Sequence, residues 1–417
     1  MDVLTTQQDL RRAIYEIVDR TPVLDIHTHL YTPDFGGLLL WGVDELVTYH
    51  YLIAELFRKA RGLSPDEFWE MTRKQQADTI WQALFVDSSP VSEACRGVLT
   101  VLNRLGFDGL RNKTLDDVRP AFAARNVNDY IDEVMEKAGV RALVMTNDPF
   151  DEKERPVWLE RPKIDPRFKA ALRIDLLLVQ YQRVACAKLK DWGYHVREDL
   201  DGETLPEIQR FLNDWIDLMH PVYLAVSLPW SFRMPEDSAT ARMVENAVLP
   251  VCRQRNLPLA LMIGVKRLVN PELRLAGDGV GRVDLSSLEY LLATYPRNKF
   301  LATLLSRENQ HELCVLARKF SNLMIFGCWW FLNDPSIIEE VTRERLELLG
   351  LSFVPQHSDA RVLDQLIYKW AHFREVFKPI LLDKYRDILQ AGWCPTRADI
   401  QRDVEGLFGA NFEAFVA

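Results

Sequence analysis

The sequence predicts an α/β protein: a (β/α)8 TIM barrel with a helical insertion after strand 1 and C-terminal helices. Three observations predict it. Eight apolar, β-branched or aromatic runs recur along the chain, each near-continuously apolar, as a strand buried on both faces is. Helical periodicity fills most of the intervals between them, and this alternation builds a parallel barrel. The 417 residues exceed a simple domain of about 100–200 residues but fit a barrel of about 250 that carries insertions.

The elements follow in order. The N-terminal stretch "MDVLTTQQDLRRAIYEIVDR" is charged throughout and lacks the apolar core of a signal peptide. The first strand is "PVLDIHTHL", residues 22–30. More than a hundred residues then separate it from the second strand, and they are not loop-like. "VDELVTYHYLIAELFRKA" has helical periodicity. "SPDEFWEMTRKQQADTIWQALF" opens with Ser64, Pro65 and Glu67, a capping box with Pro in the first turn. Residues 42–120 therefore read as a helical insertion over the barrel mouth, after an N-terminal helix and first strand at 1–41 and before the rest of the barrel at 121–417.

The remaining strands are expected at residues 141–149, 168–178, 222–230, 257–265, 299–306, 323–331 and 351–360. "GETLPEIQRFLNDWIDLM" and "NQHELCVLARKF" are connecting helices. "AHFREVFKPILLDKYRDILQAGW" and "TRADIQRDVEGLFGANFEAFV" close the chain as helices.

Composition narrows the function. The net charge of −9 and pI near 5.5 give a nucleic-acid partner little electrostatic support, and the basic residues form no stripe. No stretch approaches the ~20 apolar residues of a membrane span. The six cysteines are far apart with no C-x-x-C pair, which reads as reduced thiols in a cytoplasmic protein. Assembly into a homo-oligomer is allowed but not specified.

The chemistry is expected at the C-terminal ends of the strands, where such barrels place their active sites. His27 and His29 lie two apart on the first strand and share a face. Asp359 ends the eighth strand, which neighbours the first once the barrel closes. Two imidazoles and a carboxylate suit one divalent ion, Zn2+ first and Mn2+ as the alternative, with room for water or substrate.

At this point the chain resembles the metal-dependent amidohydrolase superfamily and, within it, the uronate (glucuronate) isomerases. The H-x-H is His27-Thr28-His29. A His-Tyr pair stands in the insertion as His50-Tyr51. The third strand ends in Arg-x-Asp, Arg173-Ile174-Asp175. The seventh carries "WWFLND", with Trp329 and Trp330. The eighth ends in Asp-x-Arg, Asp359-Ala360-Arg361, and "ANFEAFV" is similar to the family's ending.

The resemblance implies an aldose–ketose isomerisation of a hexuronate, such as D-glucuronate to D-fructuronate. Asp359 is then the expected base, with Arg361 beside it. Tyr51 is expected to shuttle a proton to the sugar oxygen while His50 positions the substrate. Arg173 offers a planar fork to the substrate carboxylate, although an ion pair with Asp175 is the competing reading. His50 and Tyr51 compete with simple helix packing. Of Trp329 and Trp330, alternation along a strand sends one inward against the sugar and the other into the core. His195, His220, His311 and His372 have no motif context and read as surface or structural.

The chain departs from the family twice. A fifth-strand His in a context like Leu-His-Ile-Gly is replaced by Met262, and an Asp-His-Gly after the fourth strand is replaced by residues 227–232, "SLPWSF". Methionine cannot stand in for imidazole as a hydrogen-bonding or acid/base group. His357, two residues before Asp359, is expected to enter the site and partly take that place; a solvated strand-end histidine is the rival reading. A mononuclear metal-dependent hydrolase or decarboxylase acting on another small carboxylate stays open, as does a non-catalytic relative.

Overall fold

The computed structural model describes residues 3–60 and 62–417. A helix, Gln7–Arg20, leads in, capped by the Thr6 side chain on the Asp9 amide. The first strand, β1 (Val23–Thr28), is buried along its whole length. β2 (Val140–Asn147), β3 (Phe168–Arg173), β4 (Leu224–Pro229) and β5 (Leu259–Lys266) follow in parallel. A two-residue strand, β6 (Gly279–Val280), turns back antiparallel on β5. β7 (Phe300–Leu304) and β8 (Leu323–Ile325) complete the order β1-β2-β3-β4-β5-β7-β8.

This is a curled parallel sheet with helices between its strands, consistent with the barrel expected. Side-chain alternation splits its core into two layers. Val144, Ala171, Met262, Leu301 and Phe326 fill the inside of the curl. Their strand neighbours, among them Leu143, Leu172, Leu261 and Ala302, pack against the helices.

Three strand boundaries differ from expectation. β3 ends at Arg173, and Asp175–Val179 is a helix rather than more strand. β8 ends at Ile325, and Trp330–Leu332 is a 3₁₀ turn, so strand alternation does not govern Trp329 and Trp330. Both are buried in the inner layer. The eighth run forms no strand ladder: it makes a lone bridge, Phe326 with Val354.

That eighth segment nonetheless closes the curl. Val354 donates to Ile325 O and accepts from Gly327 on one side. Asp359 donates to His27 O, and Ala360 accepts from His29, on the other. The reason it is irregular is local. Pro355 has no N–H to give, and Asp359 sits in the left-handed region at φ 53. The Gln356 side chain accepts from the Cys328 and His357 amides, substituting for ladder bonds.

Between β1 and β2 the chain is helical, but in short pieces. "VDELVTYHYLIAELFRKA" breaks at Thr48 and Tyr49 into Val43–Val47 and His50–Lys59. The capping box at Ser64 forms, and a second at Thr72 starts a new helix, Arg73–Trp81. After the eighth segment runs a long helix, Gln365–Gln390, followed by Arg397–Glu405 and Asn411–Val416. None of the described helices is long and apolar enough to cross a membrane.

Candidate functional site

β1 and the eighth segment bring three side chains together, as the sequence predicts. One ligand atom from each of His27, His29 and Asp359 lies within 4.8 Å of the others. Asp359 Oδ1 is 3.3 Å from His29 Nε2 and 3.7 Å from His27 Nε2. Tetrahedral donors at about 2.0–2.1 Å from zinc sit about 3.3–3.5 Å apart. His27 Nε2 and Asp359 Oδ1 are buried without a hydrogen-bond partner.

The proton positions follow from the neighbours. The Tyr223 hydroxyl donates to Ile26 O at 2.8 Å, because a carbonyl only accepts. Its oxygen, 3.2 Å from His27 Nδ1, must therefore accept from that ring. Thr146 does the same for His29: it donates to Thr28 O at 2.8 Å and faces His29 Nδ1 at 2.9 Å. Both rings carry their proton on Nδ1 and turn a bare Nε2 toward Asp359 Oδ1.

Burial holds His27 down to about 3 and His29 well below the usual imidazole range, so both are neutral at pH 7. Two lone pairs thus face a carboxylate oxygen out of contact with water. That arrangement repels itself unless a cation lies between them, and the donor set fits one divalent ion.

Around this centre stand the other expected residues. His50 is buried, with Nε2 unpartnered and its ring 5.8 Å from Trp330 and 4.5 Å from Tyr51. Tyr51 lies 4.9 Å from Tyr49, ring centre to ring centre. Burial, with Tyr49 and Asp359 adding to it, holds the Tyr51 phenol well above its ordinary range. Arg361 has its Nε buried and unpartnered. It lines a cavity of about 300 Å3 together with Tyr49, His50, Arg73 and Arg274.

Arg173 does pair with Asp175, Nε to Oδ2 at 2.9 Å and Nη2 to Oδ1 at 3.0 Å. Asp175 raises it further above its ordinary range. Asp175 also accepts from the Ser227 amide, tying β3 to β4. A second cavity of about 300 Å3 is lined by Arg173, Arg267, Asp148 and Ser227. A larger cavity, about 670 Å3, lies in the helical region among Trp81, Phe85 and Phe107, away from these groups.

His357 is not solvated: it is fully buried, 5.0 Å from His27 ring to ring, with both nitrogens unpartnered. It lies outside the three-residue donor cluster. It packs on Gly327, where a Cβ would stand 2.0 Å from its Cδ2. Met262 is an apolar member of the inner layer, paired in register with Ser227 and Thr303. Among the unassigned histidines, His372 is held by Thr100 and Glu93, and His311 is exposed against Glu344.

Sequence reasoning missed Tyr223, Thr146, Arg267 and Lys369. A buried tyrosine opening the fourth apolar run and a threonine late in the second were the available signals. Arg267 stands with its guanidinium 6.0 Å over the Trp330 ring and pairs with Asp278.

No protein-family model matches the chain, and no curated protein matches it. Among solved structures, it is similar to a uronate isomerase from Bacillus halodurans C-125: 53% sequence identity, TM-score 0.97, covering 99% of this chain and 97% of that one. It is also similar to a uronate isomerase from Thermotoga maritima, with 16% identity, TM-score 0.76 and coverage of 99% and 100%. A glucuronate isomerase from Caulobacter crescentus matches with 15% identity, TM-score 0.77 and coverage of 98% and 94%. At such identities the last two show the fold alone.

Proposed function

The chain belongs to the uronate isomerase family, and from that premise we propose that it interconverts the aldose and ketose forms of a hexuronate, with D-glucuronate to D-fructuronate the first to test. The observation that carries the reading is the pair of bare imidazole nitrogens turned on Asp359. His27, His29 and Asp359 would hold one divalent ion, Zn2+ or Mn2+. When bound, the ion supplies positive charge that polarises the substrate oxygens.

The chain's own groups then move the protons. Asp359 accepts the proton from carbon 2 and returns it to carbon 1. Tyr51 gives its phenol proton to the oxygen on carbon 1 and takes one from the oxygen on carbon 2, so the balance closes. His50, with its free Nε2, orients the sugar, and Arg361 offers its unpartnered Nε to a substrate oxygen. Arg173 has spent two donors on Asp175, which leaves Nη1 for the carboxylate in the cavity it shares with Arg267. Trp330 walls the sugar beside His50, Trp329 backs it from the inner layer, and His357 supports the floor beneath His27. In this reading residues 42–120 form a cap that delivers His50 and Tyr51 to a barrel made of 1–41 and 121–417.

The test is turnover of glucuronate and galacturonate to ketose by metal-loaded protein, beside Asp359→Asn and His29→Ala. We expect turnover by the parent, a loss of about 1,000-fold or more in both variants, and loss of bound metal in His29→Ala by elemental analysis. Ketose formation unchanged in Asp359→Asn would overturn the reading.

A further inference from the structure

We infer that Lys369 is a positioning residue of this site: its ammonium group holds the face of Tyr51 and offsets the charge left on Tyr51 when it gives up its proton. The inference rests on the reading of Tyr51 as the proton donor to the sugar oxygen.

Lys369 lies on the helix Gln365–Gln390, which leaves the eighth segment just after Arg361. The residue is 5% exposed. Among the described residues no hydrogen bond or ion pair engages its Nζ, unlike the neighbouring Lys378, which pairs with Asp19 and Glu375. Nζ stands over two aromatic rings, 5.8 Å from the ring centre of Tyr51 and 5.3 Å from that of Tyr368.

An ammonium on a side chain this enclosed, with no carboxylate in contact, opposes folding. Such a group is retained where it serves a site at the expense of stability. Its place supplies the service. Tyr51 is itself half-buried, beside Asp359 and Tyr49, and both disfavour a negative phenolate oxygen. A proton passing from Tyr51 Oη to the oxygen on carbon 1 leaves that negative charge behind until the proton on the carbon 2 oxygen replaces it. A cation on the ring face is attracted to the phenol and more strongly to the phenolate, so it stabilises the moment of transfer more than the resting state. Arg361 is a further cation acting on Tyr51. Burial pushes the Lys369 ammonium down to about 8.

The experiment uses full-length, metal-loaded protein and glucuronate. Lys369→Met keeps the volume and removes the charge. We expect kcat to fall about 10- to 100-fold, KM to stay within about threefold, and the Tm at pH 7 to be equal to or above that of the parent. In a Tyr51→Phe background the same change is expected to cost no further turnover. A parental kcat in Lys369→Met, a Tm that falls together with activity, or losses that multiply in the double variant would each overturn the inference. Parental turnover in Tyr51→Phe would instead remove the reading of Tyr51 on which it stands, whereas a slow Tyr51→Phe beside a fast Lys369→Met removes the inference alone.

Discussion

Two hydroxyl groups hold the imidazoles of His27 and His29 in one tautomer. Each has a single proton and gives it to a main-chain carbonyl of β1, Ile26 O or Thr28 O, so each can only accept from Nδ1. Removing the acceptor frees the ring to turn or to move its proton to Nε2, where it blocks a metal bond. Tyr223→Phe is therefore expected to weaken metal binding about 10- to 100-fold with the fold intact, measured by competition against a chromophoric chelator. Thr146→Val should act on His29 in the same way. Lys369 makes a second prediction at this scale. Its pKa falls from 10.5 to about 8 on folding, so the folded state disfavours the charged form. Stability is lost as pH falls from 10.5 to 8 and stays lost below. Asp359, Glu93, Asp25 and Asp334 face it and recover only part of the burial cost. Lys369→Met should thus gain up to roughly 3 kcal/mol at pH 7. In denaturant titrations that gain should shrink as pH rises past 8.

At the scale of elements, the site depends on how β1, the eighth segment and the helix Gln365–Gln390 are tied. Asp25 does this from β1: Oδ1 accepts from the Ser358 amide and Oδ2 from Trp370 Nε1. Gly327, just after β8, sets the height of the eighth segment. At φ 68, with His357 Cδ2 2.0 Å from where a Cβ would stand, it admits no side chain. Gly327→Ala is expected to cost about 3–5 kcal/mol by combined strain and overpacking, read from denaturant unfolding. The strand runs and the H-x-H were legible because burial on two faces writes itself as continuous apolar sequence. The eighth segment was legible in position but not in form: Pro355 and the left-handed Asp359 break the ladder, and apolar content does not report that. Trp329 and Trp330 were misplaced on strand alternation because β8 stops at Ile325. Tyr223 was not legible as a partner of His27, since 196 residues separate them and only the closed curl brings them to 3.2 Å. Lys369 was hidden because a lysine on a helix ordinarily faces solvent, and this helix is covered on nearly every side at its start.

For the whole molecule, the decisive fact is that the donors come from the two ends of the curl, residues 27 and 29 from the first strand and 359 from the last segment. A cation held there would bind the folded chain and not the unfolded one, so it would stabilise the fold by linkage as well as serve the proposed reaction. With free metal at about 1,000 times Kd the gain is about 4 kcal/mol. That gain acts at the seam where the curl closes through four backbone hydrogen bonds rather than a full ladder. The seam should therefore be the part of the sheet most sensitive to metal removal. We expect a chelator to lower Tm by about 5 °C, with Zn2+ or Mn2+ restoring it. Hydrogen exchange should then quicken at the amides of His29, Asp359 and Val354 more than at the β4–β5 pairing. His29→Ala should show the lower Tm at the outset and respond to neither chelator nor metal. A Tm indifferent to chelator in the parent, with no metal found by elemental analysis, would mean that the three side chains are held together by the protein alone.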